Sequence, residues 1–358
     1  MATVEGPTWS VRTVRSRPDV VEVEAVGAPV TVWCDDAPLS AIAEAWGTAL
    51  CLPAARAGAR LALPGPVDPH WRAGVAANVA DAAAWWGGSS RLVLQVPDAT
   101  DRPGIADRHD PAAQGRALCF TAGVDSFFSL LASRHHVSHL LFVVGYDMAL
   151  GEVERTAQTV VSVRAVAREV GVEAIVVRTD LRAHEGFSSV SWEHTHGAAL
   201  AMVGHLLAPT VGSVVIPPSY ARSRLVPWGS RPDLDARWSV PGRLTIEHGD
   251  ASGRRLDRVL AIAHHPLVHR HLRVCWRNVD GLTNCGRCEK CVRTMVMFAG
   301  ADQLQHCATF PDRSFLPHAL DDLDGLEPGL LPMWADLVVL PLRLDERTAV
   351  DSLLARSG

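Results

Sequence analysis

The chain has 358 residues, a formal net charge of −5, 48% hydrophobic and 20% charged residues. That length exceeds one ordinary core and predicts two or three domains, and the mild negative charge gives no overall pull toward nucleic acid. No apolar run approaches the ~18–20 residues of a spanning helix and residues 1–19 hold no apolar signal region, which predicts a cytoplasmic protein with no membrane partner.

Residues 1–105 read as a self-contained α+β domain. VVEVEA (20–25) and PVTVWC (29–34) are paired strands, LSAIAEAWGTALCL (39–52) is a helix and RLALPG (60–65) is strand-like. DPHWRAGVAANVADAAAWWGG (68–88) is a helix with an Asp cap and a Gly-Gly stop, followed by the strand RLVLQVP (91–97). The domain has no glycine-rich turn and no ligand cluster, so it is expected to shape an acceptor site or a homodimer contact. Its Trp46, Trp71, Trp85 and Trp86 either face a partner or fill its own core. The polar stretch 97–115, rich in Pro, Gly and Asp, reads as a linker.

Strict alternation follows. RALCF (116–120), HLLFVVGYD (139–147), VEAIVVRTD (172–180) and VGSVVIPP (211–218) are apolar strands separated by helices at 124–134, 156–170 and 194–209. In the second helix Val163, Val166, Ala167 and Val170 share one face, and Gly171 supplies the stop. Strands apolar on both faces and alternating with helices predict an α/β fold, a parallel sheet with helices on both sides. In such a sheet ligands sit beyond the carboxyl ends of the strands, where FTAGVDSFFSLL (120–131) makes the first strand-to-helix turn. Thr121 and Ser126 offer hydroxyls, Gly123 lets the backbone approach closely, and the opening N–H groups of the helix favour an anion. The same residues also suit a capped helix packed on a sheet. Asp125 beside a phosphate implies a loop cap or a Mg²⁺ ligand. Lys290 is the only lysine, which excludes a Walker loop ending in Gly-Lys and leaves any phosphate grip to N–H groups, hydroxyls and arginines.

CWRNVDGLTNCGRCEKC (275–291) places Cys285, Cys288 and Cys291 at C-x₂-C-x₂-C spacing with Cys275 upstream. Four thiolates in one short loop match a closed, structural Zn²⁺ tetrahedron, with an iron–sulfur cluster as the chemical alternative. Gly286 lets the knuckle turn. Cys119 reads as a small buried apolar residue, and Cys34, Cys51 and Cys307 show no ligand spacing.

Thr121-Ala122-Gly123-Val124-Asp125-Ser126 resembles the SGGxDS signature of the PP-loop ATP pyrophosphatases, adenine nucleotide α-hydrolase-like proteins with a Rossmann-like (HUP-type) sheet. Thr121 keeps the hydroxyl of the signature serine, whereas Ala122 replaces a glycine and loses backbone freedom if that position takes a positive φ. With the cysteine spacing, residues 116–300 are similar to 7-cyano-7-deazaguanine synthase-like proteins, which use ATP and ammonia to turn a carboxylate into an amide and then a nitrile. The resemblance implies units at 116–265 for ATP binding and 266–358 for a zinc knuckle and helices, with ATP and Mg²⁺ over residues 121–126. It implies an AMP-forming, C–N ligase-like enzyme that activates a small carboxylate or carbonyl substrate for attack by ammonia or an amine. Sulfur transfer (thiolation) and nucleotide binding through a degenerate loop are the alternatives. No basic tail suggests RNA as partner.

Between these anchors, RLVPWGSRPDLDARWSVPG (224–242) is read as a loop across the crevice, too irregular for core, with Arg231 and Asp235 as substrate-contact candidates. His194 and His196 open the third helix as substrate or acid–base groups, or as helix-start contacts. Arg254 and Arg258 are candidates for neutralising pyrophosphate, or for surface ion pairs. Asp125→Ala is expected to abolish AMP formation with the thermal midpoint nearly unchanged.

Overall fold

The computed structural model describes residues 6–97, 114–279 and 281–357, so most of the expected linker lies outside the described residues. The amino-terminal part runs β1 (Thr8–Arg17), β2 (Val20–Ala25), β3 (Ala28–Cys34), α1 (Ala43–Arg56), β4 (Arg60–Ala62), α2 (Pro69–Trp86) and β5 (Leu94–Gln95). Asp68 caps α2 by accepting from the His70 and Trp71 amides, and Gly87 ends it at φ 77°. Strand β1 escapes the sequence pattern because TWSVRTVRSR puts polar side chains on both faces and buries only Val11. It forms because β2 offers an antiparallel edge.

The alternating part follows as β6 (Gly115–Cys119), α3 (Val124–Ser133), β7 (His139–Val144), α4 (Val153–Val170), β8 (Glu173–Thr179), α5 (Glu185–Ser188), α6 (Trp192–Leu206), β9 (Val211–Ile216), α7 (Pro232–Asp235), β10 (Thr245–His248) and α8 (Arg255–Ile262). The carboxyl-terminal helices begin with α9 (Pro266–His271) and α10 (Glu289–Gly300) and end with α11 (Leu316–Asp321), α12 (Leu331–Ala335) and α13 (Leu344–Ser357).

The ten strands among the described residues form one sheet in the order β10-β9-β6-β7-β8-β3-β2-β1-β4-β5. Pairing from β10 to β8 is parallel throughout, and β8 then meets β3 antiparallel, with Val32 opposite Thr179 and Cys34 opposite Val177. Asp180 Oδ1 accepts from the Thr31 amide at 2.8 Å, and Asp36 Oδ2 from the Val176 amide at 2.9 Å, fixing this seam. The amino-terminal unit is therefore not self-contained in the way expected. Standing alone, β3 would expose a row of unpaired backbone groups, and β8 covers that edge.

Two cores flank the sheet, because successive strand residues point to opposite faces. From β7, Leu140, Phe142 and Val144 enter one core with Phe127, Val163 and Phe298; Leu141 and Val143 enter the other with Val32, Met202 and the α1 and α2 side chains. Trp46 and Trp71 are fully buried in that second group, which settles them as core rather than contact residues. Segment 224–242 also departs from expectation: Leu234, Trp238 and Val240 are buried, the last two in that same core. Its irregular backbone is tolerated inside because side chains satisfy it, as where Asn78 Nδ2 donates to the Leu234 carbonyl at 3.1 Å. No helix among the described residues is long and apolar enough to cross a membrane.

Candidate active site and metal centre

Within the parallel half the strands appear in the order fifth, fourth, first, second, third, so the chain reverses direction between β6 and β9. Such a reversal opens a crevice at the carboxyl ends of the two strands. A cleft of about 430 Å³ lies there, bounded by Thr121, Gly123, Asp125 and Ser126 from the loop after β6 and by Ile216, Pro217 and Ser219 from the segment after β9.

The loop is shaped by Ala122, which holds φ +58° although it is not glycine. That conformation costs an alanine about 1–2 kcal/mol, and here it is imposed from outside. Ala122 is buried, and its carbonyl accepts from the Arg273 amide at 2.8 Å. Gly123 O accepts from the Phe127 amide at 2.9 Å and from Ser126 Oγ at 3.0 Å, starting α3. The amides of residues 121–126 donate to no protein acceptor among the described residues, so six N–H groups stand at the helix start.

Asp125 does not stand free. Its Oδ2 receives Arg255 Nη2 at 2.6 Å and its Oδ1 receives Arg258 Nη1 at 2.8 Å. Arg258 is fully buried and also donates to the carbonyls of Pro218 and Tyr220 at 2.6 and 3.3 Å. Arg258 thus ties the loop to the segment after β9, while Arg255 reaches the cleft. Both come from one face of α8, three residues apart. Arg254 precedes the helix and turns away to Asp257 and Asp336 on the surface.

The sole lysine, which the sequence left out of any phosphate grip, also lines this cleft. The Lys290 ammonium makes no hydrogen bond or ion pair among the described residues; the backbone carbonyl of Lys290 accepts from Thr294 Oγ1 at 2.7 Å. Burial pushes its pKa down, with Arg255 adding to the effect. Arg273, whose pKa burial likewise lowers, lines the same wall. Aromatic side chains also line the cleft, Tyr146, Trp192 and Trp276, with the Arg182 guanidinium 4.6 Å from the Trp192 ring centroid.

The two histidines of α6 part company, because residues two apart on a helix point about 200° apart. His196 lines the cleft; its Nδ1 meets the Trp192 carbonyl at 3.2 Å, which fixes the proton on Nδ1, and burial lowers its pKa against the opposing charge of Asp235. His194 faces outward, stacked on Trp86 at 4.0 Å between ring centroids. Arg231 pairs with Asp233 and lies over Trp85, outside the cleft. Asp235 is fully buried, accepting from Ser230 Oγ and bonded to His248 Nδ1, each at 2.7 Å. It does not line the cleft; its charge acts there on His196 and Cys119, which do.

Beside the cleft, the sulfurs of Cys275, Cys285, Cys288 and Cys291 all lie within 4.8 Å of one another, and all four residues are buried. A tetrahedral site with Zn–S bonds of about 2.3 Å has edges of about 3.8 Å, and the Cys285–Cys291 Sγ separation is 3.9 Å. The donor set therefore fits a zinc ion. Gly286, at φ +68°, has Pro311 Cγ 2.4 Å from where a Cβ would stand, so the knuckle admits only glycine. S–H donation, chiefly from Cys291, holds the Cys288 thiol down at about 5, and the same bond pushes Cys291 up. Four thiolates at this spacing need a cation between them. Mg²⁺ fits less directly, since both Asp125 oxygens are taken; the Asp147 carboxylate, at the cleft wall, has no partner among the described residues.

In comparisons with known proteins, no family model and no curated protein matches the chain. Arg255, Arg273, Lys290 and the aromatic wall were not picked out by sequence. The one signal available was the position of Lys290 between two cysteine ligands, which ties it to the knuckle wherever the knuckle docks.

Proposed function

We propose that this protein is an AMP-forming, ATP-dependent enzyme of the PP-loop pyrophosphatase type, with a HUP-type sheet, joining nitrogen to a small carboxylate. The observation that carries the reading is the row of amides at 121–126, without protein acceptors among the described residues, at the strand reversal beside the cleft that Arg255 and Lys290 also line. Free amides at a helix start, backed by two cations, suit a triphosphate.

The loop amides hold the phosphates, and Arg255 and Lys290 neutralise charge on the departing pyrophosphate. A substrate carboxylate oxygen attacks the α-phosphorus, the α–β bridge breaks, and an acyl adenylate and pyrophosphate result. Ammonia or an amine then attacks the acyl carbon, AMP leaves, and one proton is released. Neutral His196, whose Nε2 has no hydrogen-bond partner among the described residues, can take that proton. Asp147 would hold Mg²⁺ together with phosphate oxygens, the arrangement this ion favours. Thiolation has less support: outside the metal cluster only Cys119 offers sulfur to the cleft, and burial pushes its thiol up to about 12.

The test is incubation with α-labelled ATP, Mg²⁺, ammonium and a panel of carboxylic acids, followed by product separation. The reading expects AMP and pyrophosphate that depend on the acid. ADP as the only product, or no ATP binding, would refute it.

A further inference from the structure

The metal knuckle and the nucleotide loop are joined by a short chain of hydrogen bonds through one buried side chain. Asn284, 2% exposed, precedes the ligand Cys285. Its Oδ1 accepts from the Val274 and Cys275 amides at 2.8 and 3.1 Å, and its Nδ2 donates to the Leu272 carbonyl at 2.8 Å. One amide side chain thus fixes the backbone of 272–275, and Cys275 at its end is itself a ligand. From the middle of that segment the Arg273 amide donates to Ala122 O at 2.8 Å. Ala122 is the residue at φ +58° on which the direction of the loop amides depends.

A glycine at 122 would enter the left-handed region unaided; an alanine needs to be held there. We propose that Asn284 is a positioning residue for the nucleotide loop: anchored by the metal cluster, it presents the 272–275 backbone that clamps Ala122, so a formed loop requires an assembled knuckle. The proposal rests on the nucleotide reading of the cleft, but the clamp is a property of the chain by itself. It assigns the knuckle a task beyond closing the carboxyl-terminal region, and it explains how this loop keeps its form with an alanine at its turn.

The experiment compares four chains: unmodified, Asn284→Ala, Ala122→Gly, and the double variant. Zinc content, ATP·Mg²⁺ binding by calorimetry and amide exchange at Arg273 are measured on each. Asn284→Ala is expected to weaken ATP binding roughly 5- to 30-fold, the factor set by the left-handed preference it leaves unsupported, and to speed exchange at Arg273. Ala122→Gly alone serves as the reference for the double variant, in which the glycine should recover most of the affinity that Asn284→Ala loses, a rescue that a merely structural role of Asn284 does not predict. Unchanged affinity and exchange in Asn284→Ala overturn the proposal, as does a loss that Ala122→Gly leaves in place. If Asn284→Ala does not fold, graded zinc removal with a chelator from the unmodified and Ala122→Gly chains makes the same comparison. If the unmodified chain binds no ATP, the nucleotide reading fails, and exchange at Arg273 still decides the clamp.

Discussion

Removing the Asp125 carboxylate tests the central electrostatic claim. Asp125→Ala leaves the fully buried Arg258 guanidinium with two carbonyl acceptors and no hydrogen-bonded carboxylate. Breaking a buried pair from one side costs about 3–5 kcal/mol, and the partial exposure of Asp125, 19%, with the surviving carbonyl bonds, brings this to about 2–3 kcal/mol. At about 2.1 cal/mol/K per residue, 358 residues give an unfolding entropy near 0.75 kcal/mol/K, so the midpoint falls by about 3–4 °C. The sequence alone suggested an unchanged midpoint; the difference arises because the two arginines come from α8, far along the chain. Urea unfolding of Asp125→Ala, Arg258→Met and the double variant measures the coupling, and the double variant should recover most of the loss, since an apolar side chain needs no counter-charge. A single variant within about 0.5 kcal/mol of the unmodified chain would refute the reasoning.

Three further outcomes follow from the geometry. Purified protein should carry about one zinc per chain, and Cys288→Ser should aggregate, because the knuckle lies in the same core as α10; metal analysis of a well-folded, metal-free sample would contradict this. Lys290→Met should weaken ATP binding by about 1.5–3 kcal/mol, roughly ten- to hundredfold, with little change in stability, since the ammonium makes no hydrogen bond or ion pair among the described residues; calorimetry and a melting curve check both halves. His205, fully buried with its pKa lowered to about 3 by burial, resists protonation only in the folded state. Between about pH 6.5 and 3 the unfolded chain binds the extra proton, so stability falls as pH falls through that window, by at most about 1.4 kcal/mol per pH unit. His205→Gln should flatten the dependence of unfolding free energy between about pH 6.5 and 5, and an unchanged slope would exclude His205 as its source.

The sequence by itself determined those features whose signals are local. Short continuous apolar runs, apolar on both faces, gave β6 to β9, the Val163–Val166–Ala167 stripe gave α4, and Asp68 and Gly87 marked the ends of α2. The four cysteines were legible because ligand spacing reflects the ion and not the fold around it. The loop at 121–126 was legible as a strand-to-helix turn, and even its weak point, Ala122, was visible as a missing glycine. Tertiary structure decided what depends on partners distant in sequence. It made a strand of the polar β1, seamed β3 to β8, drew 224–242 inward and sent His194 and His196 to opposite sides of α6. It also decided the charge of the cleft: Arg255, Arg258, Arg273 and Lys290 lie 130 or more residues from Asp125, and only packing of α8 and the metal knuckle on the sheet brings them to the loop. A side chain's neighbours along the chain fix its local conformation, whereas the field it feels is set by whatever the fold brings within a few ångströms.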